Sequence, residues 1–446
     1  MPNYTNNIQD SKICVILIGL PARGKTLIAQ KVVRYLSWLS IKAKSFSYDD
    51  YRRVVYGKSN ELTLKDRYEE CYRWVETAVA DMIEWFEEEK GIVGVLDGSN
   101  HSESQRDKIE EICRKHDIKP LFLESWFDKP ELITNNILDV NSNSPDYSAI
   151  DPEEARKDIE DRIELYKKDY TTLDTSTDAD KTFVKMINIH QSIIINKIDT
   201  YLQSRIVYYL MNFHIKPRTI WLSRHGESMY NLEGKIGGDA DLSQRGLKYA
   251  QKLPEMIQKL VGPDEQLTVW ISTLKRTYQT SQYLPYKKLQ WKALDELDAG
   301  ICDGMTYEEI ERQYPEDFKA RDENKYLYRY RGGESYKDVV TRLEPVIMEL
   351  ERQENILIIT HQAVLRCIYA YFMNVPQEES PWMSIPLHTV IKLEPMAYDT
   401  IVSRIKADIP AVSTYKEKGT SQLGESTDSS SSKTRNIITS AKVHSL

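Results

Sequence analysis

The sequence predicts an α/β fold with two domains, and three features of the chain lead to this prediction. Short apolar runs at 13–18, 91–97 and 119–126 alternate with charged helical segments. That alternation is typical of a parallel sheet with helices on both faces. The same pattern starts again at 219–222, and 446 residues are too many for a single hydrophobic core. We therefore expect two separate α/β layers along one chain.

The domain boundaries follow from changes in composition along the chain. The first domain is expected over 1–216, and it ends in a helix-rich stretch at 152–210. A Lys-Pro-Arg segment at 216–218 then precedes the second domain, which we place at 217–405. After that the apolar content falls and Ser and Thr become frequent, so 406–446 is predicted to be a disordered tail.

The composition excludes several functional classes. The formal net charge is −8, which argues against general nucleic-acid binding. The five cysteines form no CxxC or Cys/His pattern, so neither a disulfide framework nor zinc is predicted. No apolar stretch reaches the length of about 18 residues that a membrane span needs. We expect a cytoplasmic protein without a membrane or nucleic-acid partner, and the sequence leaves a homodimer open.

A phosphate-binding loop is predicted between the first strand and the helix expected at 25–38. It fits GxxxxGK[ST] and consists of Gly19, Leu20, Pro21, Ala22, Arg23, Gly24, Lys25 and Thr26. The backbone N–H groups of such a loop surround a phosphate, and the threonine hydroxyl can bind Mg²⁺. Asp97, at the end of the 91–97 strand, stands where a metal-binding or base carboxylate is expected, although a helix cap is the alternative. The loop predicts ATP and Mg²⁺ binding.

A second motif places histidines and arginines at the ends of strands in the other half. Arg224 and His225 follow the 219–222 strand, Arg276 follows 267–273, and His361 and Gln362 follow a strand beginning at 355. Because the carboxyl ends of parallel strands converge on one crevice, these side chains are expected to form a cationic cluster suited to phosphate.

Other groups complete the chemistry expected there. A neutral imidazole can attack a phosphoryl group when its second nitrogen is held by a hydrogen bond. His225 is the candidate, with Arg224 and Asn231 gripping oxygens of the transferring group. The carboxylate run at 295–298 offers a general acid.

These motifs resemble a known pair of domains. The RHGE at 224–227 resembles the fingerprint of the histidine phosphatase superfamily, whose fold is similar to that of phosphoglycerate mutase. Joined to the GLPARGKT loop, it is similar to the 6-phosphofructo-2-kinase/fructose-2,6-bisphosphatase family. The segments ALDELDAG, RGGESY and RLEPVIMELERQ carry the same likeness. The resemblance implies hydrolysis of the 2-phosphate of fructose 2,6-bisphosphate, which gives fructose 6-phosphate and phosphate without a metal ion.

The resemblance also implies a role for each residue of the second half. His225 would be the phosphorylated nucleophile, Glu296 the proton donor to the leaving oxygen, and His361 the group that stabilises the transferring phosphoryl. The residues that would hold the sugar bisphosphate are Arg224, Asn231, Gly237, Arg276, Tyr307, Arg321, Lys325, Tyr336, Gln362 and Arg366.

The first half matches the family only in part. The residues that match or substitute conservatively are the loop at 19–26 and Asp97, Arg52, Ser99, Arg162 and Tyr166. Acidic Asp49 and Asp50 precede the Tyr-Arg-Arg segment, Gln105 stands where an arginine is expected, and Asn141 where a lysine is expected. Lost positive charge weakens a sugar-phosphate site, so kinase activity is predicted to be weak or absent.

Three alternatives stay open at this point. The chain can be a working bifunctional enzyme, in which Ser99 replaces a threonine and neighbouring arginines replace the lost ones. The first domain can instead be a non-catalytic module that senses a nucleotide or forms a dimer. The second domain can also accept other phosphate monoesters, as many RHGE proteins do.

Overall fold

The computed structural model contains two α/β domains, each built on a six-stranded sheet. It describes residues 12–56, 64–147, 150–188, 191–213, 218–262, 266–396 and 399–415. The predicted fold class is confirmed by the sheet order and by the helices on both faces of each sheet. In the part of the chain that is described, no helix combines the length and apolar character needed to span a membrane.

The first domain runs from β1 to α7. Its elements are β1 (Lys12–Ile18), α1 (Lys25–Trp38), β2 (Ala43–Ser47), α2 (Tyr48–Tyr56), α3 (Leu64–Glu88), β3 (Val93–Asp97), α4 (Glu103–Lys115), β4 (Ile118–Trp126), α5 (Pro130–Asn143), α6 (Pro152–Tyr166), β5 (Phe183–Ile187), β6 (Ser192–Asn196) and α7 (Tyr201–Leu210). The strand order is β2-β3-β1-β4-β5-β6. The helix predicted at 25–38 and the strands predicted at 13–18, 91–97 and 119–126 are all present, within about two residues of the predicted ends.

The predictions of a parallel sheet and of a helix-rich 152–210 need correction in this domain, because two strands, β5 and β6, lie within that stretch. The strands β1 to β5 are parallel, but β6 pairs antiparallel with β5, so the sheet is mixed. The Ile-Ile-Ile run at 193–195 is β-branched and favours an extended chain over a helix. The strand β6 is five residues long and pairs with β5 at the edge of the sheet.

The second domain runs from β7 to β12. Its elements are β7 (Thr219–Arg224), α8 (Met229–Glu233), α9 (Gln244–Gln258), β8 (Thr268–Ile271), α10 (Lys275–Ser281), β9 (Lys287–Gln290), α11 (Tyr307–Gln313), α12 (Pro315–Glu323), α13 (Tyr336–Arg352), β10 (Asn355–Thr360), α14 (Gln362–Phe372), β11 (Thr389–Pro395) and β12 (Thr400–Lys406), with 3₁₀ turns at Lys292–Leu294, Gly300–Cys302 and Gln377–Trp382.

This second sheet has the order β12-β11-β7-β10-β8-β9. The four strands β7, β10, β8 and β9 are parallel, whereas β11 and β12 add an antiparallel edge. The strand β7 lies between β10 and β11, and its residues from Ile220 onward are buried. The chain therefore delivers Arg224 to the interior of the domain at the carboxyl end of a central strand.

The segment at 406–415 differs from the predicted tail. Lys406 is the last residue of β12, and the chain then packs on the second domain through the buried Ala407, whose N–H donates to the carbonyl of His388 at 2.9 Å. The rest of the predicted tail, 416–446, lies outside the described residues, and so does the proposed boundary at 216–217.

A buried ion cluster joins the two domains. Glu351 of α13 is fully buried and accepts from Lys31 of α1 at 2.7 Å and from Arg218 at 2.6 Å. Tyr371 of α14 donates to the same carboxylate at 2.7 Å, and Arg34 lies 3.6 Å from it. Burial alone would raise the pKa of Glu351, but the surrounding cations hold it well below its usual value. The carboxylate is therefore ionised at the centre of the domain interface.

Candidate functional sites

Three strand ends of the second sheet converge at one place. In the parallel register Thr360 of β10 lies opposite Arg224 of β7, so the residues that follow them, His361 and His225, emerge side by side. Their ring centroids are 5.2 Å apart. Arg276, from the helix that follows β8, donates its Nε to Nδ1 of His361 at 3.2 Å. The structure thus brings together the strand ends that the sequence predicted to meet.

His225 is held in one tautomer by its own neighbour in the chain. Its Nδ1 lies 2.7 Å from the carbonyl oxygen of Gly226. A carbonyl can only accept, so Nδ1 carries the proton and Nε2 keeps a free lone pair. Burial, together with Arg276 and Arg224, holds the pKa of His225 well below its usual value. A neutral imidazole with an available Nε2 is what nucleophilic attack on phosphorus requires.

The turn after His225 depends on a close backbone contact. A Cβ atom on Gly226 would lie 2.6 Å from the carbonyl oxygen of Gly246, so only glycine fits there without a shift. The N–H of Gly226 donates to Oγ1 of Thr280 at 2.9 Å. These contacts fix the backbone of Gly226, whose carbonyl bonds to Nδ1 of His225.

His361 has the opposite tautomer. Because the Nε of Arg276 is a donor, Nδ1 of His361 accepts, and the proton lies on Nε2, which is 2.7 Å from Oγ of Ser272. Burial, Arg276 and the His225 ring hold the pKa of His361 well below its usual value. The two rings are therefore both neutral in a site whose positive charge comes from arginines.

Arg224 contacts the segment that was predicted to belong to the tail. Its Nη1 donates to the carbonyl of Ile385 at 3.1 Å and to Oγ1 of Thr414 at 2.7 Å. Gln362 also reaches this segment, since its amide lies 3.4 Å from the Thr414 carbonyl oxygen. Burial lowers the pKa of Arg224 to about 9. The Thr414 hydroxyl thus accepts a hydrogen bond from Arg224, which is expected to donate to the phosphate of the substrate.

Glu296 is the member of the 295–298 carboxylate run that faces the cluster. Its oxygens accept from the backbone N–H groups of Gln362 at 3.1 Å and Ala363 at 3.2 Å, at the first turn of α14. Asp295 instead accepts from Thr273, and Asp298 from the N–H of Gly300. Of the three carboxylates, only Glu296 bonds to the strand end that carries His361.

The other predicted sugar-site residues divide into two groups. Four of them form two hydrogen-bonded pairs: Arg366 donates to Tyr336 at 3.1 Å, and Arg321 donates to Tyr307 at 3.0 Å. The remaining three contact other residues. Lys325 donates to the Pro381 carbonyl at 3.1 Å, Asn231 accepts from the N–H of Ser228, the N-cap of α8, at 3.0 Å, and Gly237 adopts a φ of 71° beside Asp303.

The loop at 19–26 has the backbone of a phosphate cradle. Gly19, Ala22 and Gly24 have φ values of 146°, 55° and 71°, so successive N–H groups turn toward a common centre. A Cβ on Gly19 would lie 2.7 Å from the carbonyl oxygen of Ser125. Of the remaining loop residues, Leu20 and Pro21 offer their carbonyls to Lys25 at 2.7 Å and Arg23 at 3.0 Å, and Lys25 and Thr26 begin α1.

Lys25 and Asp97 lie beside this loop, where Lys25 can bind a phosphate and Asp97 a cation. Burial lowers the pKa of Lys25 to about 7 and raises that of Asp97 to about 6. Asp97 shares a hydrogen bond with Thr26, and its buried Oδ2 has no hydrogen-bond partner among the described residues. An orphaned carboxylate oxygen next to a threonine hydroxyl suits Mg²⁺, so these residues fit MgATP.

A cavity of about 220 Å³ extends from this loop, and one of the arginines that line it is paired with a carboxylate. Arg52, which the resemblance implies for sugar phosphate, donates to Asp146 at 2.5 Å, and Arg53 lies 3.2 Å from the same carboxylate. Gln105 lines the cavity, is 3% exposed, and has no partner for its Oε1 in the described part of the chain. The cavity therefore offers an amide at the position where the sequence resemblance implies a guanidinium.

Other predicted residues of this domain are placed as follows. Ser99, Arg162 and Tyr166 line the cavity, and Arg162 donates to the hydroxyl of Tyr147 at 3.2 Å. Asn141 is not among the described residues that line the cavity. Its side-chain amide donates instead to the carbonyl of Pro152 at 2.8 Å.

Sequence reasoning missed three groups near the histidines. Glu227 of the RHGE motif was given no role, yet it accepts from Arg245 through both oxygens at 2.8 Å and from the N–H of Val412 at 3.0 Å. Thr414 was assigned to the tail. His388 accepts from the N–H of Glu227 at 3.0 Å, and nothing in its local sequence signals this contact.

Comparison with known proteins agrees with the motifs. Residues 2–217 match the 6-phosphofructo-2-kinase family model, and residues 220–408 match that of the histidine phosphatase superfamily, branch 1. A Saccharomyces cerevisiae protein named fructose-2,6-bisphosphatase is 61% identical over 431 residues, which cover 95% of each chain. A human protein named 6-phosphofructo-2-kinase/fructose-2,6-bisphosphatase 1 is 45% identical over 94% of this chain and 88% of its own length. The chain therefore belongs to the 6-phosphofructo-2-kinase/fructose-2,6-bisphosphatase family.

Proposed function

We propose that this protein hydrolyses the 2-phosphate of fructose 2,6-bisphosphate through a phosphohistidine at His225. The observation that carries the proposal is the tautomer of His225, whose Nδ1 is held by the Gly226 carbonyl while Nε2 stays unprotonated. Arg224 and Arg276 supply the positive charge that a phosphoryl transfer requires, without a metal ion. The relative named fructose-2,6-bisphosphatase supports the choice of substrate.

The proposed reaction has two steps. Nε2 of His225 forms a bond to phosphorus while the bond from phosphorus to the 2-oxygen breaks, and Glu296 gives its proton to that oxygen. Water then attacks phosphorus while the bond from phosphorus to Nε2 of His225 breaks. Glu296 takes a proton from that water, and inorganic phosphate leaves. Arg276 and Ser272 fix the ring of His361 beside His225, and His361 can donate to the transferring group only by exchanging the bond from its Nε2 to Ser272.

The direct test uses fructose 2,6-bisphosphate labelled with ³²P in the 2-position. We expect release of labelled phosphate and unlabelled fructose 6-phosphate, with a transient label on the protein. A comparison with other phosphate monoesters decides between this substrate and the broader specificity that many RHGE proteins have. Equal kcat/KM values for simple sugar monophosphates would contradict the proposed substrate.

Thr414 is expected to compete with the substrate for Arg224. Because its hydroxyl occupies Nη1 of Arg224 at 2.7 Å, a substrate phosphate has to displace it. Thr414→Ala should lower KM for fructose 2,6-bisphosphate by about 2- to 10-fold, the range that one hydrogen bond contributes. Thr414→Ser keeps the hydroxyl and serves as the matched control. An unchanged KM in the alanine variant would show that the segment does not compete.

We further propose that the first domain binds MgATP but has weak or no 2-kinase activity. The cradle, Lys25, Thr26 and Asp97 support nucleotide binding, whereas the amide at Gln105 and the pairing of Arg52 with Asp146 reduce the positive charge that the cavity offers a sugar phosphate. Bound ATP supplies a γ-phosphoryl group, but a poorly held sugar cannot receive it.

A melting experiment and a kinase assay test this domain together. MgATP should raise the melting temperature, since a ligand that binds only the folded state stabilises it. Lys25→Met should remove that shift and leave the phosphatase working. Gln105→Arg should increase any 2-kinase turnover. Asn141→Arg is the matched control and should not increase it, because Asn141 is not among the described residues that line the cavity. Robust 2-kinase turnover in the unmodified protein would replace this proposal with a bifunctional enzyme.

One observation favours a nucleotide-sensing role as the second candidate. The helix α1 begins at the phosphate cradle with Lys25 and carries Lys31, which pairs with Glu351 of the second domain. A nucleotide at the start of α1 is thus one helix away from the domain interface. A change in phosphatase KM on addition of MgATP, lost in Lys25→Met, would support that role.

A further inference from the structure

His388 lies directly before β11 and bonds to the motif that carries the nucleophile. It is 1% exposed and has a φ of 52°, a left-handed conformation that costs energy for any residue except glycine. Its Nε2 is 3.0 Å from the backbone nitrogen of Glu227, and its Nδ1 is 3.2 Å from the carbonyl oxygen of Ile409. The fold therefore holds an imidazole in an unfavourable backbone conformation against the RHGE motif.

The peptide that His388 contacts is also the one that holds His225. A single peptide unit joins the carbonyl of Gly226 to the N–H of Glu227. The carbonyl accepts from Nδ1 of His225 at 2.7 Å, and the N–H donates to Nε2 of His388 at 3.0 Å. Because hydrogen bonds through one amide polarise each other, the bond to His388 makes the carbonyl a better acceptor for His225.

The proton positions along this chain follow from the backbone groups. A backbone N–H can only donate, so Nε2 of His388 is unprotonated. A carbonyl can only accept, so Nδ1 of His388 carries the proton toward Ile409. His388 is therefore neutral and in a single tautomer, and protonation of Nε2 would break its bond to Glu227.

The ring of His388 is fixed from its other side as well. Tyr249 of α9 stacks on it with centroids 4.7 Å apart, and the hydroxyl of Tyr249 is 2.8 Å from that of Ser223 in β7. The charged groups that face His388 are Glu227, Arg245 and Arg224. Burial lowers the pKa of His388, which agrees with a neutral ring between these charges.

We propose that His388 is a positioning residue for the nucleophile: through the 226–227 peptide it keeps the proton of His225 on Nδ1 and the lone pair of Nε2 directed at phosphorus. The proposal rests on the proposed function of His225. The Ile409 carbonyl completes the arrangement, so the segment after β12 takes part in orienting the nucleophile.

Two amide substitutions separate positioning from folding. In His388→Gln the side-chain oxygen can reach the place of Nε2 and accept from Glu227. In His388→Asn the amide reaches only the place of Nδ1, so the bond to Ile409 is retained and that to Glu227 is lost. Asparagine tolerates a positive φ better than glutamine, so the asparagine variant should fold at least as well. Its loss of activity would therefore not reflect backbone strain.

The kinetic readout is the rate of ³²P transfer to His225 in a single turnover by the full chain. Mutation of a residue that orients a metal-bound imidazole lowers activity or metal affinity by about 10- to 100-fold. We expect His388→Asn to lower the rate of phosphoryl transfer to His225 by a similar factor, with little change in KM or melting temperature. His388→Gln should retain a rate close to that of the unmodified protein. A normal rate in the asparagine variant, or equal losses in both variants, would overturn the proposal.

The second readout needs no substrate and separates this proposal from the proposed function. In ¹⁵N-histidine-labelled protein, with His225 assigned from a His225→Gln spectrum, the unmodified chain should show only the Nδ1-protonated tautomer of His225. His388→Asn should show a mixture of tautomers and His388→Gln should not. If the unmodified protein accepted no ³²P label, the proposed function would fail. The ¹⁵N spectra of the two variants would then still decide whether His388 positions His225. An unchanged tautomer in the asparagine variant would refute that role.

Discussion

Replacing His225 by alanine should reduce hydrolysis of fructose 2,6-bisphosphate by roughly 10⁴- to 10⁶-fold, the scale at which enzymes lose activity when a covalent nucleophile is removed. The reason is that His361, the other imidazole of the site, has Nδ1 engaged by Arg276 and Nε2 engaged by Ser272. It has no free nitrogen with which to replace the nucleophile.

The measurement is the steady-state rate together with the protein-bound label from 2-³²P substrate. The label should be acid-labile and base-stable in the unmodified protein and absent from His225→Ala. His116→Ala is the matched control, because that ring is 39% exposed and lies beside Glu87 on the surface of the first domain. Label that persists in His225→Ala would exclude His225 as the nucleophile.

Replacing Glu296 by glutamine should slow loss of the sugar by about 10²- to 10⁴-fold, the usual contribution of a general acid. Glutamine keeps the shape, and its one oxygen can still accept from either the N–H of Gln362, which bonds to Oε2 of Glu296, or that of Ala363, which bonds to Oε1. The start of α14 keeps one of these two bonds, and the loss should appear in kcat with a much smaller change in KM. Rapid-quench measurement of fructose 6-phosphate release gives this rate directly.

Asp295→Asn is the control for Glu296, since Asp295 belongs to the same carboxylate run but accepts from Thr273. Asp295→Asn should change the stability of the protein and leave the rate of sugar release unchanged. If Glu296→Gln released sugar at the normal rate while Asp295→Asn did not, the proton donor would be Asp295, and the contacts at the start of α14 would be structural only.

The strand ends could be predicted from the sequence because their signal is local. An apolar run followed by Arg-His or His-Gln specifies both a buried strand and the polar residues at its end, and parallel pairing then brings Arg224, His225 and His361 to one edge. The phosphate loop is equally local, because its glycines and lysine lie within eight residues.

The groups that sequence reasoning missed are those whose partners are distant in the chain. His388 contacts Glu227 across 161 residues, and Thr414 contacts Arg224 across 190 residues. Neither belongs to a periodic pattern, so only the pairing of β11 with β7 and the path of the chain after β12 bring them to the site. The pairing of Asp146 with Arg52 was missed for the same reason.

The ion cluster at Glu351 bears on why the first domain persists in such a chain. Its three cations come from α1 and from Arg218 just before β7, while the carboxylate belongs to α13 of the phosphatase. Loss of the first domain would strip this buried carboxylate of Lys31 and Arg34, and a buried charge left uncompensated is strongly destabilising. Selection for the hydrolase alone is then enough to preserve α1, and with it the loop from which the helix starts.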